Sequence, residues 1–366
     1  MSTNHSNRIV IASAGSRKTT EIVKEALAIK GDNILILTYT IENINQIRSY
    51  IIRNAGLIPP NITIQTWYTF LLQECVRPYQ NYCYKDKRIE TIYFPEDISA
   101  FKISRRYIKK ENIKSYFLVK GKYLINEHAS EFACICNSNS GGKMITRLEE
   151  IYSKIFIDEV QDLSGYDFDV LELLLNSKIN CYLVGDCRQA TYFTSCSPKY
   201  KKFKGYNIIK LFKEWEKYGL CLVTEKNECY RSNKPICDFA DKLYPELNKT
   251  TSFNHETTEH DGVFFVKPEQ VHEYIDRFKP VVLRYNRLSN TLGFEGLNFG
   301  TTKGQTFERV FIFPTEPIKK YLKTGDYSVL PANTRAKLYV AITRAKSSVA
   351  FLYEGEFISD EINQFN

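Results

Sequence analysis

A chain of 366 residues with 43% hydrophobic and 25% charged content has the composition of a globular protein with room for about two or three cores. No apolar run is long enough to cross a bilayer and the opening residues lack a basic-then-apolar leader, so membrane and secretory classes are not expected and a cytoplasmic setting is. The net charge of +8 and the 14% aromatic content suit a polyanion partner, and ten scattered cysteines without a C-x-x-C pair read as reduced thiols, not as a metal or disulfide framework.

The first organised stretch is Ile9-Val10-Ile11-Ala12-Ser13-Ala14-Gly15-Ser16-Arg17-Lys18-Thr19-Thr20, an apolar strand, a small-residue loop and the start of a helix. Free backbone N–H groups at a helix start attract phosphates, Lys18 adds a point charge and Thr19 offers a hydroxyl to Mg²⁺. The pattern departs from G-x-x-x-x-G-K-[ST] at Ala12 and Arg17. Residues 20–29 have helical spacing, 33–40 read as a buried strand ending in Thr38, Tyr39 and Thr40, 43–54 as an amphipathic helix, and 62–66 as a third strand followed by Trp67-Tyr68-Thr69-Phe70. Strands alternating with helices predict a parallel sheet with crossovers, and ligands gather at the carboxyl ends of such strands.

Residues 71–148 change character, interleaving Lys and Arg with Tyr and Phe, and read as a small, mainly helical insertion with either a strand-binding or a solvated basic face. The run 137–142, Asn-Ser-Asn-Ser-Gly-Gly, reads as a linker closing it. At 154–162 an apolar strand runs into Asp158 and Glu159. Strand alternation would point these two carboxylates to opposite sides, one for Mg²⁺ and one for a water. Residues 168–175 predict a helix, 181–189 a strand ending in Asp186 and Gln189, and 195–206 a mobile basic loop.

The motifs in this order resemble the UvrD/Rep (PcrA-like) branch of superfamily 1 helicases along almost the whole chain. Residues 12–19 are similar to motif I, Thr38-Tyr39-Thr40 to T-F-T, Thr66-Trp67-Tyr68-Thr69-Phe70 to T-F-H-S-F, and Asp158-Glu159-Val160-Gln161-Asp162 to D-E-x-Q-D. Gly185-Asp186-Cys187-Arg188-Gln189-Ala190-Thr191-Tyr192 resembles G-D-x-x-Q-x-I-Y, and Cys229-Tyr230-Arg231-Ser232 resembles N-Y-R-S. Lys303-Gly304-Gln305-Thr306-Phe307 resembles K-G-L-E-F, and residues 338–346 resemble L-Y-V-A-x-T-R-A-R.

The resemblance implies an α/β fold of two RecA-like P-loop NTPase domains with parallel sheets. The first comprises 1–70 and 149–215, the inserted accessory subdomain 71–148, and the second 216–366. It implies an ATP-dependent translocase or helicase on single-stranded or tailed duplex DNA, moving 3′ to 5′. Ala14, Gly15, Ser16, Arg17, Lys18, Thr19 and Thr20 would cradle ATP, with Tyr230 on the adenine and Thr19 and Asp158 on Mg²⁺. Lys18, Glu159, Gln189, Arg231 and Arg344 would carry the chemistry, Glu159 activating water, Gln189 sensing the γ-phosphate and the two arginines neutralising charge. Thr38, Tyr39, Thr66, Trp67, Tyr68, Phe70, Tyr192 and Lys303 would face DNA.

Departures from the pattern bear on this reading. Arg17 replaces a glycine, Gly300 and Thr306 stand where His and Glu are usual, and 286–298 has room only for a loop where larger relatives insert a duplex-contacting subdomain. No nuclease signature follows Arg344. The alternative expectation is a DNA-sensing or regulatory NTPase subunit serving a separate nuclease in repair or antiviral defence.

Overall fold

The computed structural model describes residues 7–195, 197–354 and 362–365. Its strands are β1 (Arg8–Ala12), β2 (Ile34–Thr38), β3 (Ile62–Thr66), β4 (Thr91–Tyr93), β5 (Leu118–Val119), β6 (Tyr123–Ile125), β7 (Lys154–Asp158), β8 (Asn180–Gly185) and β9 (Leu222–Lys226) in the first part of the chain. They are followed by β10 (Glu228–Cys229), β11 (Thr251–Ser252), β12 (Gly262–Val266), β13 (Val281–Arg284), β14 (Leu297–Asn298), β15 (Phe307–Ile312), β16 (Ala345–Leu352) and β17 (Asn363–Gln364). By contacts the chain forms two compact units. One comprises residues 1–10, 19–185 and 192–224, the other 11–18, 186–191 and 225–366.

A six-stranded sheet has the order β3-β2-β7-β8-β1-β9. β2 pairs in parallel with β3 and β7, and β7 with β8, so the carboxyl ends of these four strands share one edge. Every residue of β2 is buried, as a parallel strand covered on both faces requires, while β9 at the sheet edge is largely exposed and carries Glu225 and Lys226. The helix Ile41–Ala55 buries Ile44, Ile47 and Ile51, starts on a Thr40 hydroxyl that accepts the Asn43 N–H, and stops at Gly56 with φ 78°. Thr40 therefore serves as a helix cap.

The insertion is helical as expected, with Ile98–Arg105, Ile113–Phe117 and Ala129–Asn139, but it also holds a three-stranded sheet, β4-β6-β5. Elements this short show little periodicity. They cohere through buried Phe117, Leu118, Leu124, Ile125 and Phe132. The expected linker at 137–142 is a tight turn between two helices. Residues 137–139 end one helix, Gly141 and Gly142 take φ of 67° and 83°, and Lys143 begins the next. The basic stretch after residue 195 is likewise packed, with Phe203 buried and Lys199 paired with Asp169 at 2.5 Å, which corrects the expectation of a loose loop.

The second six-stranded sheet has the order β14-β13-β15-β16-β12-β17, all in parallel register. The fold is thus mixed α/β with two parallel sheets, as the motif resemblance implies. Beside this sheet the His260 ring lies between Phe264 and Phe278, centroids 3.7 and 3.8 Å away, with Nε2 2.8 Å from the Tyr274 hydroxyl. Burial, aided by Arg309 and Arg277, holds its pKa down at about 4. A histidine kept neutral by the fold stabilises it fully above its unfolded value of 6.5, and that contribution is lost as pH falls through about 4. Thermal melts should show wild type losing stability more steeply than His260→Gln across this window. Parallel curves would remove the assignment.

Candidate nucleotide site

Within the second unit, the loop between β1 and the helix Lys18–Ala28 is tied to residues 226–231. The Ser13 N–H donates to the Lys226 carbonyl at 2.8 Å, the Ser13 hydroxyl to Glu228 at 3.1 Å, and the Tyr230 N–H to the Gly15 carbonyl at 2.9 Å. Gly15 has φ 75°, and a Cβ there would stand 2.8 Å from Cys229 Sγ and 2.9 Å from Arg231 Cβ, so only glycine fits. Ser16 is buried and its hydroxyl has no hydrogen-bond partner, an orphaned polar group in the middle of the loop.

Arg17, at the position of the missing glycine, adopts φ 61°. The backbone keeps the glycine conformation at about 1–2 kcal/mol for a side-chain-bearing residue. The side chain turns outward, with its guanidinium 4.1 Å from the centroid of the Tyr230 ring, and that ring also stacks on Phe253 at 5.2 Å. This cation–π contact offsets about 0.5–1 kcal/mol of the backbone cost. Arg17→Gly is therefore expected to leave thermal stability within about 1 kcal/mol of wild type. By uncovering Tyr230 it should lower the KM for an adenine nucleotide by roughly twofold to fivefold. An unchanged or raised KM in steady-state hydrolysis would show that Arg17 does not compete for the ring.

In the first unit, Thr19 Oγ1 donates to Asp158 Oδ2 at 2.7 Å, joining the start of the first helix to the end of β7. Asp158 Oδ1 accepts the Glu159 N–H at 2.9 Å. Glu159 is not on the strand. It takes φ 60° and opens the short helix Val160–Asp162, so a left-handed turn, not strand alternation, separates the two carboxylates. Gln161 Nε2 donates to Glu159 Oε2, and Gln161 Oε1 is a buried acceptor without a donor. A Cβ on Gly185 would lie 2.1 Å from that oxygen, so glycine at the end of β8 leaves room for the glutamine. Gln161 had no assigned role in the sequence reading, although the D-E-x-Q-D pattern contained it.

Back in the second unit, Arg344 is buried at the turn between the helix Ala332–Ile342 and β16. Its Nε donates to the Val340 carbonyl at 3.1 Å, Nη1 to Gln305 at 3.2 Å and Nη2 to Gln189 Oε1 at 3.2 Å. Gln189 Nε2 donates to Asp186 Oδ2 at 2.8 Å, and Asp186 Oδ1 accepts Arg188 Nε at 2.9 Å. Arg188, also buried, lies 3.5 Å from Asp241. Arg231 Nη1 donates to the Thr343 carbonyl at 2.9 Å. The fold therefore brings Gln189 and Arg344 into contact and sets Arg231 on the residue before Arg344. Arg188 and Asp241 complete a buried polar chain that no single motif announced.

The residues expected to face DNA divide by exposure. Trp67 is 1% exposed with its indole N–H on Asp167 at 2.8 Å, Tyr68 donates to the Thr194 carbonyl at 2.9 Å, and Phe70 is fully buried. All three are buried side chains, where the resemblance implied that they would face DNA. Thr66 accepts the Thr69 N–H and starts a helix directly after β3, turning the rings inward. Thr38 is buried and accepts from Asn43 Nδ2 at 3.1 Å. Tyr39 and Lys303 are half-buried and Tyr192 is 41% exposed, so these three keep surface for a ligand. Among the described residues no group of three or more His, Cys, Asp or Glu gathers to hold a metal, and the described cysteines are free thiols.

The family model of the UvrD/REP helicase N-terminal domain matches residues 72–195, and that of the viral superfamily 1 RNA helicase core domain matches residues 135–353. No curated protein sequence matches the chain. Among solved structures it is similar to an arterivirus nonstructural protein 10 helicase, with 17% identity, a TM-score of 0.48, and coverage of 94% of this chain and 59% of that one. The same helicase in complex with DNA gives 16%, 0.49, 94% and 60%, and a PRRSV helicase gives 16%, 0.46, 95% and 52%. The chain thus spans between about half and three-fifths of the length of these structures. The UvrD/REP match is confined to about a third of the residues, and the wider match is the viral one. With that model covering more than half of its residues, the chain belongs to the viral superfamily 1 RNA helicase core family.

Proposed function

We propose that this chain is an ATP-dependent translocase on single-stranded nucleic acid, hydrolysing ATP with Mg²⁺ and moving 3′ to 5′ as the UvrD/Rep-like motifs imply. The observation that carries the reading is the Thr19–Asp158 hydrogen bond, which brings a helix-start hydroxyl and a strand-end carboxylate together across 139 positions. A hydroxyl and a carboxylate are the hard oxygen donors that suit Mg²⁺, which keeps its remaining positions for water and phosphate oxygens. Bound there, Mg²⁺ would neutralise charge on the β- and γ-phosphates.

The other steps belong to side chains of this chain. Lys18 and the loop N–H groups hold phosphates, and the orphaned Ser16 hydroxyl gains a partner when they arrive. Glu159, oriented by Gln161, takes the proton of the attacking water. Gln189 and Arg344 release one another to meet the γ-phosphate, so the contact between them is the resting form of the sensor. Partial exposure of Tyr39 and Tyr192 supports a strand-facing role for those two aromatics.

The test is ATP hydrolysis with and without single-stranded DNA and RNA, followed by strand displacement on duplexes tailed at either end. Hydrolysis stimulated by a strand and displacement from a 3′ tail are expected. Absence of strand-stimulated turnover would end the motor reading, and displacement only from a 5′ tail would reverse the direction.

A further inference from the structure

The insertion contains a cavity of about 500 Å³ that the nucleotide reading leaves unused. Its wall carries Arg77, Lys85, Lys87 and Arg88, the remaining lining is neutral, and no carboxylate contributes. The acids nearest in sequence are already engaged, Glu74 with Arg147, Asp86 with Lys114 and Glu90 with Lys122. Lys85, Lys87 and Arg88 are exposed and form no ion pair among the described residues.

The site is built and not merely basic. Arg77 Nε donates to the Ile89 carbonyl at 3.0 Å and Nη2 to the Glu90 carbonyl, so backbone holds the guanidinium in place. Gln80, buried, donates to the Lys87 carbonyl at 3.0 Å and accepts the Ile89 N–H at 2.9 Å, pinning the segment that presents the three flexible cations. Four like charges around one cavity repel, and a bound anion removes that cost. An internal phosphodiester brings only one charge, and the wall has no aromatic ring to hold its base. A polyphosphate group brings several charges and needs no ring.

We propose that this cavity is a second anion site, separate from the phosphate loop, that binds a polyphosphate group carried on the 5′ end of a strand or on a free nucleoside triphosphate. The measurement is calorimetric binding of inorganic tripolyphosphate to the full chain bearing Lys18→Ala, so that the phosphate loop contributes least. Saturable binding is expected there. It should weaken at least tenfold when Lys87→Glu and Arg88→Glu are added, and stay within twofold when the exposed pair Lys320→Glu and Lys323→Glu is added instead. Absent binding, no response to the cavity pair, or an equal response to the control pair would overturn the proposal. Competition then separates the sources. A 5′-triphosphate oligonucleotide outcompeting ATP points to a strand end, and equal competition points to the free nucleotide. A 5′-hydroxyl oligonucleotide competing as well as its triphosphate form would overturn the polyphosphate assignment. Because the cavity and its variants lie outside the nucleotide site, these outcomes stand whether or not Lys18 proves necessary for hydrolysis.

Discussion

Arg344→Ala is expected to lower strand-stimulated ATP turnover by about 10³ to 10⁵, or roughly 4–7 kcal/mol of transition-state stabilisation. The guanidinium is buried and shared among Val340, Gln305 and Gln189, so its position is fixed, and in the proposed reaction it would meet the charge that grows on the γ-phosphate. The same bonds make alanine a poor isolated test, because the Val340 and Gln305 carbonyls and the Gln189 amide oxygen would lose a donor at about 1–3 kcal/mol each. Arg344→Lys separates the effects. It keeps the charge and most of the volume while losing the planar fork, so it should lower the melting temperature less than alanine does while turnover still falls at least about a hundredfold. Thermal melts beside steady-state hydrolysis check this, and a lysine variant with full turnover would reduce Arg344 to a packing residue.

Glu159→Gln should lower turnover by about 10² to 10⁴ while leaving nucleotide binding intact, the signature of a lost general base. Gln161→Ala should reproduce a fraction of that loss, since its amide donates to the Glu159 carboxylate. Lys18→Ala should differ in kind, costing about 10² to 10³ in kcat together with a raised KM, because its charge acts on the bound phosphates as well as on the transition state. Single-turnover rates measured alongside equilibrium binding distinguish the cases. Equal loss of binding in Glu159→Gln and Lys18→Ala would contradict the division of roles.

The sequence showed most clearly what depends on spacing and small residues. β2 and β3, the first two helices and the pairing of Thr19 with Asp158 follow from apolar runs and motif letters. Two things were hidden for different reasons. Trp67, Tyr68 and Phe70 carry aromatic letters that suit a base, but the Thr66 cap bends the chain so that they pack inward, and capping geometry cannot be separated from ligand contact in letters alone. Glu159 was read as part of a strand because β-periodicity runs up to it, yet it sits in a left-handed turn that opens the short helix Val160–Asp162, which no period announces. Arg17 shows the converse. The letter suggested a damaged loop, while φ 61° shows that the motif's requirement there is a dihedral angle, which arginine can meet at a modest cost. The small sheet in the insertion was missed because strands of two and three residues carry no readable period.

The seam between the phosphate loop and residues 226–231 bears on how the molecule can be dissected. Ser13 and Gly15 find their hydrogen-bond partners at Lys226, Glu228 and Tyr230, more than two hundred residues downstream. A fragment ending after residue 224 would retain Lys18, Thr19, Asp158 and Glu159 but would leave that loop without its anchors. The shape of the loop at 13–15 is therefore set by residues from both ends of the polypeptide, and the amino-terminal part alone would carry the loop's residues without their hydrogen-bond partners.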